Sequence, residues 1–303
     1  MKTVICVCTY KRPEGIGILL QALTQLEGTK DIEICVVDND VAGEGAAVCN
    51  SLSADYPFPV HTMVEPQLGI SPARNAVVTY ALRLQPVFLA FLDDDERPEP
   101  QWLSELLRVQ SITGADAVGG PTLSEFPDNV PERVKQNPYF GADLGFTDTQ
   151  RCQLQAAGNF LIKADVINTM APTFFHPAFA QSGGEDLAFF TQLGKNGANM
   201  HWAANAIVRE AVPANRLTQS WMKSRVINIA NSRVRVMQLL EPGPIAAFIR
   251  GIKTAALGTV AFLSSLTAVA LPNKREQARM LRWQFWGKLS AHLRIATTRG
   301  EGH

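Results

Sequence analysis

Four carboxylates in a row, Asp93-Asp94-Asp95-Glu96, follow directly on the apolar run 86–92. On extended backbone successive side chains alternate between faces, so Asp93 and Asp95 project together and Asp94 points away. Two oxygen donors spaced in this way at the end of a strand can hold a hard divalent cation, which in turn bridges phosphate oxygens. A solvated acidic turn is the competing account of the same residues.

Three further groups are candidates for the same rim. The run 34–37 ends in Asp38-Asn39-Asp40, where a carboxylate could accept hydrogen bonds from a ribose or a base, or close an Asx turn on its own backbone. Gly183-Gly184-Glu185-Asp186 joins two glycines, which let backbone approach a ligand, to an acidic pair suited to a helix start. One of those carboxylates is a candidate general base for an attacking hydroxyl, and spacing does not choose between them. Gly69-Ile70-Ser71-Pro72-Ala73-Arg74-Asn75 reads as a helix start capped by Ser71, with Pro72 at the first position. Arg74 would then stand in the first turn against the helix dipole, which suits a cation serving an anionic ligand. Arg216, Lys223 and Arg225 could neutralise a departing diphosphate, or lie on an ordinary surface helix.

Such groups act together only if the chain brings them to one edge, and its periodicity predicts that it does. Val- and Ile-rich runs at 4–8 and 32–37 flank a stretch, 15–26, with apolar residues at helical spacing, which makes a β-α-β unit. The alternation continues with a strand near 60–64, a helix near 71–84, a strand at 87–92, a helix near 100–113 and a strand at 115–119. This predicts a mostly parallel sheet covered on both faces, with ligands bound beyond the carboxyl ends of its strands. Residues 121–155, rich in Pro, Asp, Asn and Gly, read as a long loop or partly ordered insertion. Order returns at 156–163 and in a helix from 184 to about 193.

With 303 residues, nearly half of them apolar, the chain can bury a sizeable core. Lys+Arg and Asp+Glu both number 28, so nothing global points to nucleic acid. The charge is uneven, however: residues 1–212 hold 14 basic and 25 acidic side chains, and residues 213–303 hold 14 and 3. The basic end is therefore expected to meet an anionic surface. Five cysteines without metal spacing read as reduced, buried thiols of a cytoplasmic protein, and the first apolar run as a strand and not a signal peptide.

From 245 to 271 the chain is strongly apolar, with an uncharged run at 254–271 diluted by Thr254, Thr259, Ser264, Ser265 and Thr267. A membrane span, a helix lying in the membrane plane and an ordinary packed helix are all open, the in-plane helix being favoured. The following segment, with Lys274, Arg275, Arg279, Arg282, Lys288, Arg294 and Arg299 beside Trp283, Phe285 and Trp286, fits an anionic lipid surface, or else a solvated helix.

In order and spacing, Cys8-Thr9-Tyr10-Lys11-Arg12-Pro13, Val37-Asp38-Asn39-Asp40, Gly69 to Asn75, Phe91-Leu92-Asp93-Asp94-Asp95-Glu96, Gly183 to Asp186 and Glu210 to Trp221 resemble the family-2 inverting glycosyltransferases of GT-A fold. The resemblance covers residues 3–235 and is to the non-processive bacterial enzymes of exopolysaccharide, succinoglycan-type synthesis. It implies an α/β GT-A catalytic domain at 1–235, which leaves 236–303, by its composition and charge, as a helical, basic, membrane-associating region. It implies that Thr9, Tyr10, Arg12, Asp38, Asn39, Gly69, Arg74, Asp93 and Asp94 bind the donor nucleotide, and that Asp93 and Asp95 hold Mg2+ or Mn2+. Asp186 would be the base and Glu185 would help to orient the acceptor; Arg216 and Arg225 would steady the diphosphate, and Trp221 and Gly184 would meet the acceptor. The expected partners are a nucleotide-sugar donor, usually UDP-linked, a lipid-linked saccharide acceptor and an anionic membrane at the cytoplasmic face of the inner membrane, with no nucleic acid. No Gln-x-x-Arg-Trp motif follows the Glu-Asp pair, and Leu281-Arg282-Trp283 lacks its setting, so one sugar per encounter is implied.

Three rivals are weaker. A nicotinamide-dependent oxidoreductase would use Gly15-Ile16-Gly17 and Asp38, but Leu20 occupies the third glycine position and the acidic clusters go unexplained. A nucleotidyltransferase needs a glycine-rich basic loop that residues 9–13 do not supply. An inactive membrane-bound scaffold of the same fold differs only in lacking turnover.

Overall fold

β1 (Thr3–Thr9) is buried along both faces, as a central parallel strand must be. It pairs in parallel with β2 (Ile32–Asp38) on one side and β4 (Phe88–Asp93) on the other, and β3 (Val60–Val64) extends the sheet beyond β2. In this computed structural model, which describes residues 1–28, 30–52, 55–141 and 143–295, the full order is β3-β2-β1-β4-β8-β6-β9. Here β6 is Ala117–Gly119, β8 is Phe160–Lys163 and β9 is Met200–Trp202. β8 is antiparallel to both β4 and β6, so within this sheet it alone runs against the others.

Period-two alternation along β1 sends Val4 and Cys6 to one face and Ile5 and Val7 to the other. On the Ile5 face, α1 (Pro13–Leu23) and α4 (Trp102–Thr113) bury Ile16, Leu19, Trp102 and Leu106. On the Val4 face, α3 (Ile70–Arg83) and α7 (Glu185–Lys195) bury Val77, Val78, Phe189 and Phe190. Stacked rings, Phe91 on Phe160 and Phe175 on Phe189, continue that second core up to the rim. All five cysteines are free thiols.

Several short elements depart from the expectations. α2 (Glu44–Asn50), β5 (Glu96–Pro98), β7 (Thr122–Glu125), α5 (Glu132–Lys135), α6 (Ala164–Asn168) and β10 (Val208–Ala211) are too short to register a period. β5, β10 and β7 form a second, three-stranded sheet, so the region 121–155 is not simply loop. α3 begins at Ile70 with Gly69 as its cap at φ 134°, and Ser71, expected as the cap, instead donates to the carbonyl of His176 at 3.1 Å.

By its contacts the chain divides into two compact units. The first, Met1–Val130 with Phe140–Ala180 and Glu185–Val212, contains both sheets. The second comprises Pro131–Tyr139, Gln181–Gly184 and Pro213–His303. The expected boundary at 235/236 falls inside its first long helix, α8 (Gln219–Leu240), which runs on without a break.

Two more long helices complete the second unit, α9 (Pro244–Ala270) and α10 (Arg275–His292). A Cβ on Gly287 of α10 would lie 2.4 Å from the Ile227 carbonyl oxygen, so α10 and α8 meet at backbone contact. α9 is long and apolar enough by composition to cross a membrane, yet only 17% of its most apolar window is buried. Its outer face is therefore not that of a helix buried on all sides, although its inner face packs along α10. Arg299, counted above among the basic residues, lies outside the described residues.

Candidate active site

In the parallel register Thr9 stands beside Asp38 and Cys8 beside Asp93, so the carboxyl ends of β1, β2 and β4 make one rim. The chain builds outward from β1 through β2 to β3 and then returns to place β4 on the other side. Such a reversal opens the crevice in which sheets of this kind take ligands.

The acidic run does not stay extended. β4 ends at Asp93, residues 94–95 form a turn, and β5 starts at Glu96. Asp94 is buried and accepts hydrogen bonds from Thr9 Oγ1 at 2.7 Å and Arg12 Nη1 at 3.0 Å, so its carboxylate is taken up within the protein and is not offered to the donor nucleotide as the resemblance implies. Arg12 Nη1 also reaches Asp95 Oδ2 at 2.8 Å, so this arginine is turned onto the acidic turn. Burial pushes the Asp94 carboxyl up to about 6, against the opposing pull of Arg12 and Thr9. A Cβ on Gly15 would sit 2.9 Å from the Asp94 carbonyl oxygen; this glycine lets the first turn of α1 close on the acidic turn and belongs to no dinucleotide loop.

Glu96, the last of the four acids, anchors the turn. It is fully buried, its Oε2 accepts the Asp93 backbone N–H at 2.9 Å, and its Oε1 accepts Thr122 Oγ1 at 3.1 Å. Burial, reinforced by Asp93, raises its pKa well above the carboxylate range. Glu96 thus holds the turn from below and leaves the Asp93 side chain 45% exposed on the rim. Only its place directly after the triplet hinted at this.

Arg74 joins the rim to α7. Its guanidinium is buried, donating Nη2 to Asp93 Oδ1 at 3.1 Å and Nη1 to Glu185 Oε1 at 2.8 Å, with its carbon 5.6 Å from the Phe175 ring centroid. Burial works against its charge, but Asp93, Glu185 and Asp186 outweigh it and raise its pKa. Glu185 is completely buried, and its Oε2 has no hydrogen-bond partner. Asp186, next along, is half-buried, and its Oδ1 accepts the Leu187 N–H at 2.6 Å in the first turn of α7. Of the two candidate bases, only Asp186 has access to solvent.

Other expected donor contacts turn inward. Asp38 is 1% exposed, with Oδ1 accepting Asp40 N–H and Oδ2 accepting Ala46 N–H, each at 3.0 Å. It closes the Asx turn and anchors α2, and is not offered to a ribose or base. Asn39 donates to the carbonyls of Glu65 and Gln67, both at 2.9 Å, and accepts the Gly69 N–H at 2.8 Å. Asn39 therefore ties the loop after β2 to the loop that joins β3 to α3. Tyr10 is exposed at the rim, with Lys11 Nζ 5.2 Å from its ring centroid.

Gly184, Arg216, Trp221, Lys223 and Arg225 belong to the second unit. Gly184 has φ 103°, Arg216 is buried, Lys223 is exposed, and the Arg225 guanidinium lies 5.9 Å from the Trp221 ring centroid.

Among the described residues no group of three or more His, Cys, Asp and Glu side chains gathers to hold a metal unaided. Asp93 and Asp95 instead offer two partly exposed carboxylates. That donor set fits Mg2+ or Mn2+, hard ions that complete their shell with phosphate oxygens and water.

Residues 4–170 match the family described as Glycosyl transferase family 2. The succinoglycan biosynthesis protein ExoM of Rhizobium meliloti (strain 1021) is 31% identical over 235 residues, 77% of this chain and 74% of that protein. The glycosyltransferase AglE of Haloferax volcanii is 25% identical over 60% of this chain and 58% of its own length. The mannosyltransferase PcManGT from Pyrobaculum calidifontis, solved with GDP-Man and Mn2+, superposes with TM-score 0.66 at 15% identity, covering 96% of this chain and 87% of that one. S. aureus TarS 1–349, solved with UDP-GlcNAc, gives 0.54 at 13% identity over 97% and 92%. These likenesses identify the fold as GT-A.

Proposed function

The chain belongs to glycosyl transferase family 2, and on that premise we propose that it moves a single sugar from a nucleoside diphosphate donor, most simply a UDP-hexose, to a hydroxyl of a lipid-linked saccharide. The reaction serves exopolysaccharide assembly at the cytoplasmic face of the inner membrane. The observation that carries this reading is the Arg74 bridge, which ties the exposed Asp93 carboxylate to the acidic start of α7. Supporting it are the relative in succinoglycan biosynthesis and the fold neighbours solved with GDP-Man and Mn2+ or with UDP-GlcNAc.

In this reading Asp93 and Asp95 hold Mg2+ or Mn2+, and the ion when bound supplies positive charge against the leaving diphosphate. Tyr10 offers a ring face to the base. Asp186 takes the proton of the acceptor hydroxyl, whose oxygen bonds to the anomeric carbon as the bond from that carbon to the diphosphate oxygen breaks. The bonding pair departs with the nucleoside diphosphate. A single displacement inverts the anomeric carbon, and Glu185, fixed by Arg74, sets the angle at which Asp186 is presented. Proton NMR of the product tests this: transfer from an α-linked donor should yield a β-linked sugar, and an α-linked product would sink the inverting mechanism.

A further inference from the structure

We infer that α9 lies in the plane of an anionic lipid bilayer, one face among the lipids and the other on α10, a topology that rests on the membrane-surface part of the proposed function.

α9 is built inside out. Its buried residues, Thr254, Ala261 and Ala268, recur every seventh position, with half-buried Gly258 and Ser265 between them. These form a seam of small side chains facing the protein. The large side chains face away: Phe248, Ile252, Val260, Phe262, Leu266 and Val269 are each between 52% and 77% exposed. A helix on a water-soluble core has the opposite arrangement. Small residues inward and large apolar residues outward is how helices pack when lipid is the surrounding solvent.

α10 then decides between lying and spanning. It is fastened along α9 at three levels: His292 Nε2 to Thr254 Oγ1 at 3.1 Å, the Phe285 ring over Gly258, where a Cβ would be 2.7 Å away, and Arg282 Nη1 to Ser265 Oγ at 2.9 Å. If α9 crossed the bilayer it would draw Arg279, Arg282 and Lys288 into the hydrocarbon, where charged side chains are costly. Lying in the plane, it leaves them at headgroup depth. Exposed Trp286 suits the same level.

Charge selects the occupant. Residues 241–295 hold eight basic and two acidic side chains, a surplus that anionic headgroups attract and a second copy of the same surface would repel.

The test is flotation of the full chain with sealed phosphatidylcholine vesicles, with and without phosphatidylglycerol. Binding should be on the order of tenfold stronger with phosphatidylglycerol, and the double variant Phe262→Glu/Leu266→Glu should lose it while keeping its melting temperature and its lipid-free donor hydrolysis. In an Asn273→Cys variant added from outside, an impermeant maleimide should label residue 273 fully, as mapped by mass spectrometry. Protection of that residue until detergent is added would mean that α9 spans, and would overturn the inference. Flotation unchanged in the double variant, or a lipid-free dimer broken by it with no flotation at all, would overturn it too. Donor hydrolysis read in the same samples separates the two ideas: inactivity with intact flotation defeats the transferase reading, and activity without flotation defeats this one.

Discussion

One buried guanidinium, that of Arg74, donates to Asp93 at 3.1 Å and to Glu185 at 2.8 Å, so the end of β4 and the start of α7 are fixed by the same side chain. Glu185 has no access to water and its second oxygen has no partner, which leaves Arg74 as its compensating charge. Removing one member of such a pair strands the other.

Arg74→Ala should therefore cost about 3–5 kcal/mol of stability in urea unfolding. Adding Glu185→Gln should recover part of that loss, since the stranded charge disappears. Additive losses in the double variant would show that the bridge does not hold the site together.

Asp186→Asn should lower sugar transfer by roughly 10²–10⁴-fold, the usual contribution of a positioned base, and leave donor affinity within about twofold. Glu185→Gln should lower transfer less and depress the melting temperature, because it acts through position. Substantial transfer by Asp186→Asn would remove it as the base.

Asp94 gives a pH signature in metal-free protein. Its folded carboxyl titrates at about 6 against an ordinary 3.8, through burial first and the neighbouring Asp95 and Asp93 next. Between these values the folded chain holds more protons than the unfolded one, so stability present at low pH is lost as pH rises through the folded value. Relative to Asp94→Asn, the wild type should lose on the order of 2–3 kcal/mol across that window. Parallel curves for the two proteins would contradict the burial argument.

Gly158→Ala tests the floor beneath the rim. The added Cβ would lie 2.5 Å from Glu96 Oε1, and that carboxylate is held by Asp93 N–H and Thr122 Oγ1 with nowhere to retreat. A loss of about 1–3 kcal/mol is expected in denaturant unfolding, together with weaker metal-dependent nucleotide binding. Normal stability and binding would mean that Glu96 moves freely.

The sheet was legible because its central strands are continuous apolar runs separated by helices of three turns or more, and those periods survive in one sequence. Short elements such as α2 and β10 leave no period, and β7 was hidden in a polar stretch. At the site, neither the burial of Asp94, which sits in a turn and shares Arg12 with Asp95, nor the inward turn of Asp38 follows from strand alternation. Whether an aspartate after a strand closes its own turn or faces a ligand depends on where α2 puts the Ala46 N–H, which is tertiary information. The role of Glu96 was obscured similarly, since a fourth acid in a row reads as solvated until β5 folds under it.

The central claim is that the β4 rim binds a nucleoside diphosphate through a divalent ion, and calorimetry addresses it directly. UDP, GDP and CDP are titrated into the wild type and Asp95→Ala, with Mn2+ and then with EDTA. The predicted result is that one nucleotide, UDP first among them, binds the wild type with Mn2+, that EDTA abolishes the heat, and that Asp95→Ala weakens it at least about tenfold. Binding of none of the three, or equal binding in EDTA, would contradict the account and leave the acidic turn as a solvated feature of an inactive scaffold.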